Sequence, residues 1–295
     1  MDKTNLNPYF QSLEVDYLYH LGLDSSMDLK QQFGDIKFVV LTRSFGDADY
    51  FADQFTEIFY GLKDLHIECK TIAKDERYHI YKVANTLIIS HGVGFPSMLI
   101  CLNEVVKLLW HAGVEDYQFI RLSPGGGIGV SNDSVIVANT ALDQQLKSEW
   151  SNIEFGEYYT YNTIMDDKVS QAMIAANPNA KLVAGKILST ACFYNGQARL
   201  NGAIPVTYTE EERNEYLQKA YAAGARGIDM ESGCFTAFCN NFAIPATVVL
   251  AARADRLNSN DTIESSSLFD KNIEIGVKTA TSAIINYILS NTQRG

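Results

Sequence analysis

An α/β fold on a mixed or largely parallel sheet is what this sequence predicts, and three observations predict it. Short β-branched runs recur along the chain, longer stretches of helical period lie between them, and 295 residues at 46% hydrophobic and 20% charged supply a sizeable core. In order, the runs at 36–41 (IKFVVL), 86–90 (TLIIS), 117–122 (YQFIRL), 134–137 (SVIV), 182–188 (LVAGKIL) and 246–250 (ATVVL) read as strands. Between the second and third, Leu99, Leu102, Val106, Leu109 and Trp110 recur at helical spacing up to Gly113, which predicts a crossover helix. Thr209 with Glu212 forms a capping box that opens a helix running to about Gly224. Phe269, Ile273, Val277, Ala280, Ile284, Tyr287 and Ile288 describe an amphipathic C-terminal helix. The polar segments at 258–262 and 265–267 are too short for a linker, so one domain over 35–295 is expected after an N-terminal extension over 1–34.

The formal charge of −11 and pI near 4.9 argue against a broad nucleic-acid or anionic-membrane surface, so an anionic substrate would need a local arginine cluster. The polar first residues carry no apolar signal core and no run approaches the ~20 apolar residues of a membrane span, so a cytoplasmic location is expected. Five cysteines without a CxxC pair indicate reduced thiols packed as small hydrophobes, not a disulfide framework or zinc ribbon.

Four segments carry chemistry-bearing residues. Ser123-Pro-Gly-Gly-Gly-Ile-Gly129 reads as a glycine-rich turn after a strand, matching neither a dinucleotide fingerprint nor a P-loop. His91-Gly-Val-Gly-Phe-Pro96 ends another strand, and a lone histidine there is expected to be a satisfied core residue. Phe193-Tyr-Asn-Gly-Gln-Ala-Arg199 offers an aromatic ring, an amide and a guanidinium within one loop. A pyrimidine needs such a set: Gln197 both donates and accepts, Arg199 donates to a carbonyl oxygen, and Phe193 packs on the ring face. At Gly227-Ile-Asp-Met-Glu-Ser232 a strand ending in a carboxylate precedes a helix, which suits a sugar diol and equally suits a helix cap.

Taken together with Tyr19-His-Leu-Gly-Leu23, Phe33-Gly-Asp-Ile-Lys-Phe38, Arg77-Tyr-x-x-Tyr-Lys82, Ser90 to Ser97, Ile120-Arg121 and Gly126-Gly-Ile-Gly129, these segments resemble the nucleoside phosphorylase-I family, most closely its eukaryotic-type uridine phosphorylase branch. The resemblance runs from about Asp16 to about Ile288. It implies one α/β domain with a mixed, barrel-like sheet surrounded by helices, reversible cleavage of uridine with phosphate to uracil and ribose 1-phosphate in pyrimidine salvage, and no metal or organic cofactor. It also implies a homo-oligomer, most simply a dimer, with the 1–34 extension in the subunit contact. By position, Gln197 and Arg199 would bind the uracil edge with Phe193 beside it, Met230 and Glu231 would hold the ribose, and His20 would reach the 5′-hydroxyl from the partner subunit. Arg121 and, from the neighbouring subunit, Arg77 would bind phosphate; Arg256 matches the family pattern and Arg253 departs from it.

The anion loops also depart. Where the family has Gly-Gly-Ser-Pro-x-Arg this chain has Thr42-Arg43-Ser44-Phe45-Gly46-Asp47, and where it has Gly-Thr-Ser-Gly-Gly this chain has Ser123-Pro124-Gly125-Gly126-Gly127. An acid thus replaces an arginine, and a proline without N–H or hydroxyl replaces a threonine. A lost charge-assisted bond is worth about 1.5–3 kcal/mol, and a carboxylate ~4–6 Å from the anion repels it by a few kcal/mol. Arg43 is the residue able to compensate. The alternatives to a phosphorylase are a nucleoside hydrolase and a catalytically weak nucleoside-binding protein.

Overall fold

The computed structural model describes residues 6–62, 68–73, 77–258 and 266–292, with side chains of the last helix described from 275. Its contacts group into two compact units, 1–121 with 241–245, and 122–240 with 246–295. The expected α/β fold, helices on a mixed sheet, is found in each.

The first unit opens with α1 (Pro8–Gln11), β1 (Tyr17–Leu18), β2 (Leu23–Asp24) and α2 (Leu29–Phe33). Its sheet is β3 (Phe38–Thr42), β4 (Ile80–Val83) and β5 (Thr86–Ser90), with the first residues of β6 (Gln118–Gly127) paired to β3. β3 and β5 run parallel, Phe38 opposite Thr86 and Thr42 opposite Ser90, while β4 is antiparallel to β5. Every residue of β3 and β5 is buried, which is why both read as unbroken apolar runs. After β3, α3 (Phe45–Phe59) buries Ala48, Phe51, Ala52 and Phe55, one stripe at 3.6 spacing. The sequence reading passed over this helix because its start was absorbed into the loop after the strand. After β5, α4 (Phe95–His111) is the predicted crossover helix, entered one turn earlier through Pro96, whose missing N–H costs nothing in a first turn.

The second unit contains the rest of β6 with β7 (Val135–Ala138), β8 (Ala141–Leu142), the hairpin β9 (Glu149–Glu154) and β10 (Glu157–Asn162), α5 (Lys168–Ala175), β11 (Leu182–Ala184), β12 (Lys186–Ser189), α6 (Glu210–Ala222), β13 (Ala225–Asp229), α7 (Ser232–Asn241), β14 (Ala246–Asp255) and α8 (Ser266–Thr292). Strand order is β11-β7-β14-β6-β13-β12-β8. The ladder mixes parallel pairs, β11 with β7 and β12 with β13 and β8, and antiparallel ones, β13 with β6 and β14 with β7. The predicted capping box is present on α6: Thr209 Oγ1 accepts from Glu212 N–H, and Glu212 accepts from Thr209 N–H. α8 packs on β14 with Ala280, Ile284, Tyr287 and Ile288 buried; Phe269 and Ile273 lie outside the described side chains, as does most of the 258–262 stretch.

Two strand readings are corrected. The run 182–188 is two strands, β11 and β12, parted at Gly185, because β11 pairs with β7 and β12 with β8 and β13. The glycine-rich 123–127 is not a turn but the end of β6, with Pro124 buried inside it. A Cβ on Gly125 would stand 2.8 Å from the Ile228 carbonyl oxygen and 2.8 Å from Leu250, so the neighbouring strands approach too closely for a side chain. No described helix is long and apolar enough to cross a membrane.

Candidate functional site

In the second unit, the loop after β12 folds into a short 3₁₀ turn at Asn195–Gln197, ended by Ala198 in the left-handed region at φ 52°. Arg199 N–H closes the loop on the Tyr194 carbonyl at 3.0 Å. The turn brings together what the sequence placed close. Gln197 is buried, while the Arg199 guanidinium lies 4.1 Å from the centre of the half-exposed Phe193 ring. Arg256 Nη2 donates to the Gln197 carbonyl at 2.7 Å, and its Nη1 donates to Gln197 Oε1 at 3.4 Å. Arg256 is itself buried, held by Arg213 Nη2 donating to its carbonyl and by its own N–H donating to Gly127. A Cβ on Gly126 would meet Arg256 Cγ at 3.0 Å. Gly126 therefore gives Arg256 room to lie against the strand.

The carboxylate question resolves at the end of β13. Asp229 Oδ1 accepts from Ser232 N–H at 3.1 Å and Oδ2 from Ser232 Oγ at 2.6 Å, so Asp229 caps α7. Glu231, one residue before the helix, is buried, and Met230 beside it is half-buried. Arg253, on β14, is half-buried too. Cys101, Cys234 and Cys239 pack as buried thiols as expected, but Cys192 is exposed at the start of the base loop, and backbone N–H groups of Gly196, Tyr194 and Asn195 pull its thiol below the ordinary value.

In the first unit, His91, Arg43 and Asp47 come from loops that leave β3 and β5 side by side, His91 N–H donating to the Thr42 carbonyl at 2.8 Å. Both loops lead into helices: Ser44 caps α3 by accepting from Asp47 N–H, and Gly94 at φ 90° opens α4 without a side-chain cap. Asp47, in the first turn of α3, lies with its Oδ2 4.0 Å from Arg43 Nε. The acid that replaces the family arginine is thus balanced by the arginine beside it, and Arg43 is turned to Asp47.

His91 corrects an expectation. It is fully buried, yet neither ring nitrogen makes a hydrogen bond. Burial above all, then the Arg121 charge, holds its imidazole well below the ordinary pKa; the Gly92 backbone opposes this, and Arg43 adds to it least. Arg121, on β6, is fully buried. Arg77 Nη2 donates to Ser97 Oγ at 3.1 Å, and Ser97 Oγ donates to the His91 carbonyl at 2.6 Å.

Glu104 is a residue the sequence reading missed. It projects from α4, takes the N–H groups of His20 and Leu21 on Oε2, and meets His20 Nδ1 with Oε1 at 2.6 Å. Glu104 thereby fixes the orientation of the His20 ring through Nδ1. No local spacing could have linked positions 20 and 104; only the single acid of α4 hinted at it.

The sequence model of the Phosphorylase superfamily matches residues 37–289. Uridine phosphorylase 1 of Mus musculus is 35% identical over 259 residues, 86% of this chain and 83% of that protein. The protein named inactive uridine phosphorylase B of Schistosoma mansoni is 31% identical over 270 residues, covering 90% of each chain. The solved structure of Schistosoma mansoni uridine phosphorylase in complex with thymine superposes with a TM-score of 0.89 at 29% identity, over 98% of this chain and 99% of that one.

Proposed function

We propose, on the premise that this chain belongs to the Phosphorylase superfamily, that it is a uridine phosphorylase-like pentosyltransferase, exchanging the uracil of uridine for phosphate. The observation that carries this is the base loop: a buried Gln197 amide braced twice by Arg256, next to an arginine stacked on Phe193. Gln197 Oε1 retains a lone pair for the N3–H of a 2,4-dioxo ring, and its Nε2 donates to a ring oxygen. Phosphate attacks C1′ as the bond to N1 breaks; the electron pair passes to the departing uracil, where Gln197 and Arg199 meet the charge. Glu231 and Met230 hold the ribose, and catalysis is mainly positioning and electrostatics.

Phosphate is assigned to Arg121 with Arg43, and Arg77 is placed in the neighbouring subunit's site, as His20 is for the 5′-hydroxyl. The working unit is then a homodimer in the cytoplasm, with residues 1–34 in the contact. The exposed Ile153, Phe155 and Tyr158 of the β9–β10 hairpin support association.

The replacements at Asp47 and Pro124 favour a second reading, a nucleoside hydrolase or a catalytically weak nucleoside-binding protein. Uracil release from uridine, measured with and without phosphate, separates them. The phosphorylase reading expects release that depends on phosphate and yields ribose 1-phosphate. Release without phosphate marks a hydrolase; uridine binding with no release marks a binding protein.

A further inference from the structure

The loops after β3 and β5 hold an unusual concentration of buried polar atoms without hydrogen-bond partners: Arg43 Nε, Asp47 Oδ2 and both ring nitrogens of His91. Folded proteins leave few such groups, and a cluster of them in one place points to a ligand. Two long helices, α3 and α4, begin there, so the backbone favours an anion. Arg43 and Arg121 are the cations whose charges act on the His91 ring. An anion site of this make-up has one member of the wrong sign, Asp47.

A carboxylate in an anion site is adverse to any ligand that only accepts hydrogen bonds. Sulfate is such a ligand in neutral solution. The phosphate dianion differs in one atom, since it keeps one O–H. A carboxylate turns that O–H into a short charge-assisted bond, while the arginines take the remaining oxygens. Resting on the phosphorolytic reading for its biological setting, we propose that this cluster selects monohydrogen phosphate over sulfate, the Asp47 carboxylate accepting the P–OH proton and Arg43, Arg121 and His91 facing the ionised oxygens.

Each partner suits that task. Arg43, 4.0 Å from Asp47, offsets its charge while the ligand is absent. The neutral imidazole of His91 adds a donor without adding a third positive charge to those of Arg43 and Arg121, so the site is not so cationic that any dianion would do. Gly92, at φ 76°, is fixed by its surroundings, since a Cβ there would stand 2.9 Å from Ser97 Oγ; the loop carrying His91 is therefore tightly specified.

The test is calorimetric titration of inorganic phosphate and of inorganic sulfate into the full chain at slightly alkaline pH, for wild type, Asp47→Asn and Asp47→Glu. Wild type is expected to prefer phosphate by about tenfold or more. In Asp47→Asn sulfate binds more tightly than in wild type and the preference collapses toward parity, whereas Asp47→Glu, which keeps an acceptor, retains it. Equal affinities in wild type, binding of neither anion, or an unchanged ratio in Asp47→Asn would overturn the proposal. The wild-type comparison stands even if a variant fails to fold. Uracil release run in parallel keeps the two ideas apart: phosphate-dependent release with no anion preference sinks the selectivity and spares the phosphorylase, and selective binding without release does the reverse.

Discussion

At His91 the sequence argued for an ordinary core residue, because a single imidazole at the end of an apolar strand is most often a packed side chain with its nitrogens satisfied. The burial was read correctly and the satisfaction was not, since hydrogen-bond partners depend on loops far apart in sequence. A measurable consequence follows from its lowered pKa, caused by burial and then by Arg121 and Arg43. Above the ordinary value of 6.5 the ring is neutral in folded and unfolded chains alike and contributes no pH dependence. Below it, the unfolded chain takes up a proton that the folded protein refuses, so stability falls as pH falls, by up to ~1.4 kcal/mol per pH unit. Thermal melts of wild type and His91→Gln at slightly alkaline and at mildly acidic pH should therefore show the larger acid loss in wild type; equal losses would mean the ring is protonated in the fold. Gln197 gives the complementary lesson. Its place in one loop with Phe193 and Arg199 was legible from composition, and on the proposed function Gln197→Leu should weaken uracil binding by roughly 1–3 kcal/mol, read by titration with the base. What brace holds the amide was not legible, because Arg256 reaches it from β14's end.

Among the elements, β3, β5 and β7, buried throughout, were read from sequence with small boundary shifts, and β9 and β10, half-buried to exposed, were not. The β9–β10 hairpin is the plainest miss. Glu149–Glu154 is at most half-buried, so its residues carry no apolar run to detect. Its two-residue loop, Phe155-Gly156, has φ values of 50° and 87°, the pattern of a tight hairpin turn that favours Asn-Gly. A fully exposed phenylalanine in the left-handed region is a poor local choice, and association with a second copy would account for it. Combining Phe155→Asn with Ile153→Thr should leave the circular dichroism and the hairpin intact, because asparagine tolerates that backbone conformation, yet shift sedimentation toward a smaller species. Unchanged sedimentation would remove the hairpin from the subunit contact. In β6 the error ran the other way: Pro124 and three glycines were taken as a strand's end. They form its continuation, since close neighbours on β13 and β14 replace the packing that side chains normally supply.

For the molecule as a whole, an acidic chain with net charge −11 concentrates the arginines it uses at particular loops, which favours a small anion over a polyanion. Ligand binding to the folded state should be visible as global stabilisation. Uridine at about a hundred times its dissociation constant adds ~2.7 kcal/mol, or a rise in melting temperature of about 5 °C or more for a chain of this size. Inosine at the same concentration should move the melt far less, because the proposed function gives Gln197 and Arg199 a 2,4-dioxo edge to bind; a larger shift with inosine would contradict the pyrimidine assignment. The sequence by itself determined the alternation of strands and helices, the capped helix at Thr209, and the residue types of the base loop. All of these depend on neighbours within a few positions, where periodicity and side-chain chemistry act directly. Only the tertiary structure decided that Asp229 caps a helix, that Glu231 is buried beside it, that Glu104 grips His20, that Arg256 braces Gln197, and that Asp47 lies near Arg43 while the ring nitrogens of His91 make no hydrogen bond. Those outcomes rest on which strands lie adjacent and how closely their loops approach. Hydrogen bonds are short-ranged and directional, so they are settled by distances of a few tenths of an ångström that a linear pattern does not contain.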